Sequence, residues 1–229
     1  MKRMLTLVTA AMLSLAVMAG CDNSSSARGA GNAPGGKLNI VTTIFPQYDY
    51  VKEIAGDKVD LHMLLPPGAE SHSFEPSPQD IMTIQDADVF IYVGGKSDSW
   101  IDSMLDSVDT EGKAVLSLMD MVEAKQEEIV EGMDHEHDHE HEEEEQHVHE
   151  YDEHVWTSPK NAKLIVQSIS DNLCRLDAAN AEAYRQNTQA YLERLDELDA
   201  GLEQAVAGGQ RKTIVFGDRF PFMYMAKDY

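Results

Sequence analysis

The chain has 229 residues, of which 42% are hydrophobic, and a formal net charge of −23. This length allows one large domain or two small ones, and the hydrophobic fraction is ordinary for a protein with a packed core. The strong negative charge argues against a nucleic-acid partner and favours cationic ligands.

The first 20 residues have the pattern of a signal peptide. Met1-Lys2-Arg3 is basic, and residues 5–17 are apolar but too few for a membrane span. Small residues then precede Cys21, which resembles a bacterial lipobox, with cleavage before Cys21 and lipid attachment to its thiol. Residues 21–36 predict a flexible tether, so we expect an extracytoplasmic protein anchored to the membrane by lipid, at the cell surface or in the periplasm. The alternative is a secretory signal with an incidental cysteine.

Strands and helices are predicted to alternate from Leu38 onward. β-branched and apolar runs predict strands at residues 38–44, 59–65, 88–93 and 114–118. Helical spacing predicts intervening helices beginning at Phe45, at Pro78 and near Trp100. This order predicts an α/β fold with a parallel sheet covered on both faces, whose ligands bind at the carboxyl ends of the strands.

Residues 131–150 form a histidine-rich acidic tract. Twelve Asp or Glu and six His lie between Glu131 and Glu153, without Lys or Arg. Such a segment cannot build a packed core, which predicts a solvated, disordered loop. Imidazole and carboxylate bind Zn²⁺, so our leading interpretation is a weak, multivalent metal collector; the alternative is an acidic linker with incidental histidines. The histidines of the tract are His135, His137, His139, His141, His147 and His149.

A metal-dependent hydrolase is an alternative function for the same tract. Residues 135–139 match the zinc-protease pattern H-E-x-x-H. That pattern needs an amphipathic helix to place both histidines on one face, whereas the flanks here are acidic and of low complexity. We therefore attribute the match to repetition of two residue types.

Two helices are predicted after the tract. Residues 159–176 carry one apolar face, formed by Ala162, Ile165, Val166, Ile169 and Leu173. Residues 177–206 predict a long helix, followed by a strand at 212–216 and the start of another helix. A lone strand and part of a helix cannot make a domain, so we expect a second lobe that continues beyond Tyr229.

Two single histidines are candidate metal ligands. His72 lies in residues 66–78, a loop made rigid by four prolines and a glycine, although a surface turn with an incidental histidine is an equal alternative. His154 lies just before a helix that Ser158 and the following proline should begin. His154 could merely end the tract, but the Val-Trp that follows it argues otherwise.

Asp218 is a third candidate ligand, at the end of the predicted strand 212–216. A carboxylate there could bind a metal in a cleft. It could equally pair with Arg219 or cap the next helix, and the residue types favour these two options.

These features occur in one order along the chain. The lipobox, the loop P-P-G-A-E-S-H-S-F-E-P-S-P, the tract, the motif D-E-H-V-W-T-S-P and the long helix resemble the substrate-binding lipoproteins of bacterial zinc and manganese ABC transporters. The resemblance implies a two-lobed, periplasmic-binding-protein-like fold with one long linking helix and the metal between the lobes. The implied boundaries are a first lobe at 37–176, the linking helix at 177–208 and the start of the second lobe at 209–229.

The resemblance also implies a function. His72 and His154 would be first-lobe ligands of Zn²⁺, with Mn²⁺ as the alternative, in a monomer that delivers the ion to an ABC permease and is not an enzyme. Some members of the family are called surface adhesins, which is a further alternative. Many zinc-binding members have Phe-His-Asp where this chain has Phe216-Gly217-Asp218, so the expected third imidazole is missing. Two histidines favour zinc over manganese, which prefers oxygen ligands.

Overall fold

A computed structural model describes residues 36–69, 71–126, 151–211, 213–217 and 220–229. The strands are β1 (Asn39–Thr42), β2 (Asp60–Met63), β3 (Val89–Tyr92) and β4 (Ala114–Ser117). The helices are α1 (Phe45–Ala55), α2 (Pro78–Gln85), α3 (Ser99–Leu105), α4 (Pro159–Leu176), α5 (Ala181–Gly208) and α6 (Met223–Asp228). Within these residues, no helix is long and apolar enough to cross a membrane.

The four strands form one parallel sheet in the order β2-β1-β3-β4, which confirms the predicted α/β architecture. Ile40 in β1 pairs with Leu61 of β2 on one side and with Val89 of β3 on the other. The chain leaves β1 toward one edge and then returns to the other side of β1 through α2. The loops that follow β1, β2 and β3 therefore open at a switch point, where α/β proteins bind ligands.

Alternate strand residues build a separate core on each face of the sheet, because successive side chains of a strand point to opposite faces. On one face Ile40, Val89 and Ile91 pack in one cluster with residues of α1, α4 and α5. On the other face Val41 and Phe90 pack with α2 and α3. All five residues of the predicted apolar face of α4 are buried, so helices cover both faces as expected.

The long helix begins at Ala181, four residues later than predicted. Asp177 explains the difference, because its carboxylate accepts hydrogen bonds from the Asn180 side chain at 2.7 Å and from the Tyr184 hydroxyl at 2.7 Å. An aspartate that bonds to the backbone and side chains just after it favours a turn over a helix. Residues 177–180 therefore separate α4 from α5.

The strand predicted at 212–216 is wrong for residues 213–216, which form no strand. Ile214 and Val215 are 57% and 88% exposed. A strand has to share its backbone hydrogen bonds with a neighbour. The paired strands of the described chain all belong to the β2-β1-β3-β4 sheet, and residues 213–216 do not join it.

Helix α6 holds together the two segments on either side of residues 127–150. The buried Tyr224 hydroxyl donates to the carbonyl of Asp152 at 2.8 Å and accepts from the Lys125 N–H at 2.9 Å. Gln126 and Tyr151 form an antiparallel bridge directly beyond these contacts. Burial raises the pKa of the Tyr224 hydroxyl. The chain thus enters and leaves residues 127–150 at one fixed place.

The buried carboxylate of Asp98 stabilises the loop after β3 by hydrogen bonds to its backbone. Oδ2 of Asp98 accepts hydrogen bonds from the N–H of Val93 at 2.8 Å and of Gly94 at 3.1 Å. Burial raises the pKa of Asp98 to about 6, although these N–H donors act in the opposite direction. Gly94 and Gly95 have φ values of 90° and 86°, which favour glycine. The loop therefore holds the short turn Lys96–Asp98 in place at the carboxyl end of the sheet.

Asp98→Asn should make the effect of this buried carboxyl measurable, because Asn keeps an acceptor oxygen but does not titrate. The pKa of Asp98 rises from 3.8 to about 6 on folding, so between these pH values the folded state binds more protons than the unfolded state. The free energy of unfolding of the wild type, relative to the variant, should therefore fall by about 2 kcal/mol as the pH rises from about 4 to about 6. Urea unfolding of both proteins across this range measures the difference.

The exposed Asp106, replaced by Asn, is the control for loss of one negative charge. If the difference in the free energy of unfolding between the wild type and Asp98→Asn does not change with pH, the raised pKa assigned to Asp98 is wrong.

Candidate metal centre

His72 lies on a short helical turn, Ser71–Ser73, in the proline-rich loop that follows β2. The loop is anchored at both ends. Leu64 N–H donates to the carbonyl of Thr42 at 2.9 Å, and at the far end Ser77 caps α2 by accepting from the Asp80 N–H. The His72 side chain is 36% exposed. A partly exposed imidazole on an anchored loop is accessible to an ion from solvent.

His154 lies in a segment that leads directly into α4. Ser158 caps that helix, as predicted, by accepting from the N–H of Lys160 at 3.1 Å and of Asn161 at 3.4 Å. The ring of His154 lies beside Trp156, with centroids 5.4 Å apart. Asp152 Oδ1 accepts from the His154 N–H at 2.7 Å and lies 3.0 Å from its Nδ1. This contact orients the ring and directs Nε2 away from the carboxylate.

The fold brings the two predicted histidines together. Their ring centroids lie 5.8 Å apart. Glu153 joins them, and one potential ligand atom from each of the three residues lies within 4.8 Å of the others. Ligand atoms about 2.0–2.1 Å from a tetrahedral Zn²⁺ are roughly 3.4 Å apart. The cluster is therefore slightly wider than a zinc site, and small side-chain rotations would close it.

Glu153 was not predicted as part of the site. Its side chain is only 11% exposed, and Oε1 lies 3.2 Å from Nδ1 of His72. In the sequence Glu153 is one of twelve acidic residues between 131 and 153, which conceals it. Its position directly before His154 is the one local signal that could have distinguished it.

The loop after β3 holds the Glu153 carboxylate. The Ser97 N–H donates to Oε2 at 2.9 Å, and the Ser97 hydroxyl donates to Oε1. A side chain at Gly95 could not be accommodated, because its Cβ would lie 2.9 Å from Oε2 and 3.0 Å from Cβ of Glu153. Ser97 and Gly95 were also missed by sequence reasoning, since nothing near them in the chain suggests a ligand.

The other predicted site residues are not placed by the structure. Asp218 lies outside the described residues, and so do the six histidines of the tract and Cys21. Gly217, which stands where many zinc-binding members have histidine, is exposed. The described part of the site therefore consists of His72, His154 and Glu153.

Known proteins resemble this chain in sequence and in fold. The high-affinity zinc uptake system protein ZnuA of Bacillus subtilis is 37% identical over 213 residues, which are 93% of this chain and 65% of that protein. The zinc-binding lipoprotein AdcA of Streptococcus pneumoniae is 34% identical over 226 residues, 98% of this chain and 42% of that protein. The crystal structure of Zn(II)-bound AdcA from S. pneumoniae superimposes with a TM-score of 0.70 at 31% identity, over 85% of this chain and 38% of that one.

The chain thus spans about 42% to 65% of the length of these two curated relatives. The family described as zinc-uptake complex component A, periplasmic, matches residues 40–229. The match includes all the strands but the first residue of β1, all the helices and both histidine loops. It confirms the resemblance inferred from the sequence, and the chain belongs to this zinc-uptake family.

Proposed function

We propose that this protein captures Zn²⁺ outside the cytoplasm and delivers it to an ABC permease, and that it has no catalytic activity. The observation that carries the proposal is the convergence of His72 and His154, from two separately anchored loops, to a ring separation of 5.8 Å. Neutral imidazoles are preferred zinc ligands. The zinc-related names of the relatives support the same ion as cargo.

Two imidazoles are half of a tetrahedral zinc site. Asp218 is a candidate for a further ligand, and water is another. Two nitrogen ligands favour Zn²⁺ over Mn²⁺, since manganese sites are richer in oxygen. If Asp218 and other carboxylates complete the site, its oxygen content rises and Mn²⁺ becomes the alternative cargo.

Replacing either histidine by alanine should abolish tight zinc binding. Each change removes one ligand, so we expect the Kd for Zn²⁺ to rise at least ~100-fold, because even residues that only orient ligands contribute 10- to 100-fold. Chelator-competition titration of purified His72→Ala and His154→Ala measures this. The wild type should saturate at one tightly bound ion and turn over no peptide or ester substrate.

The matched control is His62→Ala, which removes an exposed imidazole from β2. His62→Ala should bind zinc as the wild type does. One-to-one, high-affinity zinc retained in the His72→Ala/His154→Ala double variant would exclude these residues as the site.

The histidine-rich tract is proposed to collect zinc for this site. The bridge between Gln126 and Tyr151 supports the proposal, because it holds the two segments that flank residues 127–150 next to Asp152. Weak ligands tethered beside a site raise the local concentration of the ion without any further contact. Collection should fade as the pH falls below about 6.5, the ordinary pKa of imidazole.

Deleting residues 132–149 should leave the Kd of the tight site unchanged but reduce zinc uptake by cells under zinc limitation. A full-length variant in which the six tract histidines are Asn keeps the length and charge of the tract, and it should show the same defect. Uptake of ⁶⁵Zn by cells measures both. Normal uptake by the deletion variant rejects the collector role, and normal uptake by the Asn variant alone would assign it to the carboxylates.

Cys21 is proposed as the site of lipid attachment, which would hold the protein at the membrane surface. Cys21→Ser should release the protein into the soluble fraction and abolish labelling with radioactive palmitate. Cys174→Ser is the control, since Cys174 lies within α4 and should not affect either readout. Membrane retention of Cys21→Ser would favour a different mode of attachment.

A further inference from the structure

A chain of hydrogen bonds runs from Glu153 through Ser97 to His72. The Ser97 hydroxyl donates to Oε1 of Glu153 and contacts Nδ1 of His72. The three residues come from three separate segments: the end of the tract, the loop after β3 and the proline-rich loop after β2. These contacts between segments fix the three side chains relative to one another.

The direction of these hydrogen bonds determines which nitrogen of His72 carries the proton. A serine hydroxyl has one proton, and here it is donated to the Glu153 carboxylate. The hydroxyl oxygen can then only accept from Nδ1–H of His72. In the neutral ring, which is the form that binds a metal, the lone pair then lies on Nε2.

His154 is oriented in an equivalent way by a different carboxylate. Its Nδ1 lies 3.0 Å from Oδ1 of Asp152, a buried residue. In metal sites, a histidine ligand usually donates its second ring N–H to a carboxylate, carbonyl or water, which orients the ring and increases the basicity of the ligand nitrogen. Asp152 does this directly, whereas Glu153 reaches His72 through Ser97.

The Glu153 carboxylate is also held in place by the backbone of the loop after β3. The Ser97 N–H donates to Oε2 at 2.9 Å, and the absence of a side chain at Gly95 admits the carboxylate against the backbone. Oε1 lies 3.2 Å from Nδ1 of His72, within contact distance of that ring nitrogen. That placement suits contact with the ring nitrogen opposite the metal-binding one.

We propose that Glu153 and Ser97 are a positioning pair for His72: they set its tautomer and hold its ring so that Nε2 faces the ion, and neither contacts the metal. This inference rests on the proposed function of the site. It adds to that function a specific role for two residues, and it assigns Glu153 to orientation rather than to ligation.

The test is a double-mutant cycle with Ser97→Ala, Glu153→Ala and the double variant, read out as the Kd for Zn²⁺ by chelator competition. Each single change should weaken binding about 10- to 100-fold. The double variant should bind no more weakly than the weaker-binding single variant, because both changes break one chain and their effects are not additive. Ser97→Thr, which keeps the hydroxyl, should bind zinc like the wild type.

Two controls separate positioning from stability and charge. Glu75→Gln removes an exposed carboxylate from the same loop as His72, and it should leave the Kd unchanged. The metal-free variants should have melting temperatures near that of the wild type, whereas their zinc affinities differ. The visible absorption bands of the Co²⁺-substituted variants should keep the wild-type wavelengths, because the ligand atoms are the same.

Two outcomes overturn the proposal. In the first, Glu153→Ala loses far more zinc affinity than Ser97→Ala, and the two losses add in the double variant. The Co²⁺ bands of Glu153→Ala would also shift, and Glu153 would then be a ligand. The other is wild-type affinity in both single variants while His72→Ala loses zinc. If His72→Ala also retains zinc, the proposed function fails rather than the positioning pair.

Discussion

Asp152 makes the set of contacts on which the arrangement of the site depends. Its N–H donates to the carbonyl of Lys125 at 2.9 Å, its carbonyl accepts from the Tyr224 hydroxyl, and its carboxylate accepts from the N–H of His154. A buried carboxylate without such partners would be strongly destabilising. Because all of its polar groups are used, Asp152 joins the end of the tract, α6 and the His154 ring in one geometry.

The consequences extend on both sides of Asp152. On the carboxyl side, the next residues are Glu153 and His154, and Ser158 then begins α4, whose buried face packs on the sheet. On the amino side, an antiparallel bridge between Gln126 and Tyr151 joins the two segments that flank residues 127–150. The positions at which the chain enters and leaves residues 127–150 are therefore fixed.

The candidate site lies among buried carboxylates, which make the electrostatic potential around it negative. Asp98, Asp152 and Glu153 are all largely buried near the carboxyl end of the sheet, in a chain of net charge −23. The neighbouring Glu153 charge contributes to the raised pKa of Asp98, after burial itself. A divalent cation bound at His72 and His154 would relieve this repulsion. The same negative field would also attract cations from solvent and speed their association.

The sequence by itself determined what depends on neighbours along the chain. The apolar face of α4, its cap at Ser158 and the alternation of strands and helices are local patterns, and each has one low-energy structure. The motifs around His72 and His154 were recognisable for the same reason. The predicted strand at 212–216 failed because a strand requires a partner that local pattern cannot supply, and the start of α5 moved because Asp177 binds Asn180 and Tyr184.

Only the tertiary structure decided which acidic residue joins the histidines. Glu153 is one of twelve acidic residues between residues 131 and 153, and its position directly before His154 is the one local feature that separates it from the other eleven. It is selected by Ser97 and Gly95, which parallel pairing of β3 beside β1 brings to the same edge of the sheet as the His72 loop. Residue type determines which groups a side chain can bind. Which of those groups it contacts depends on the distances between separate loops, and these are set only when the sheet has formed.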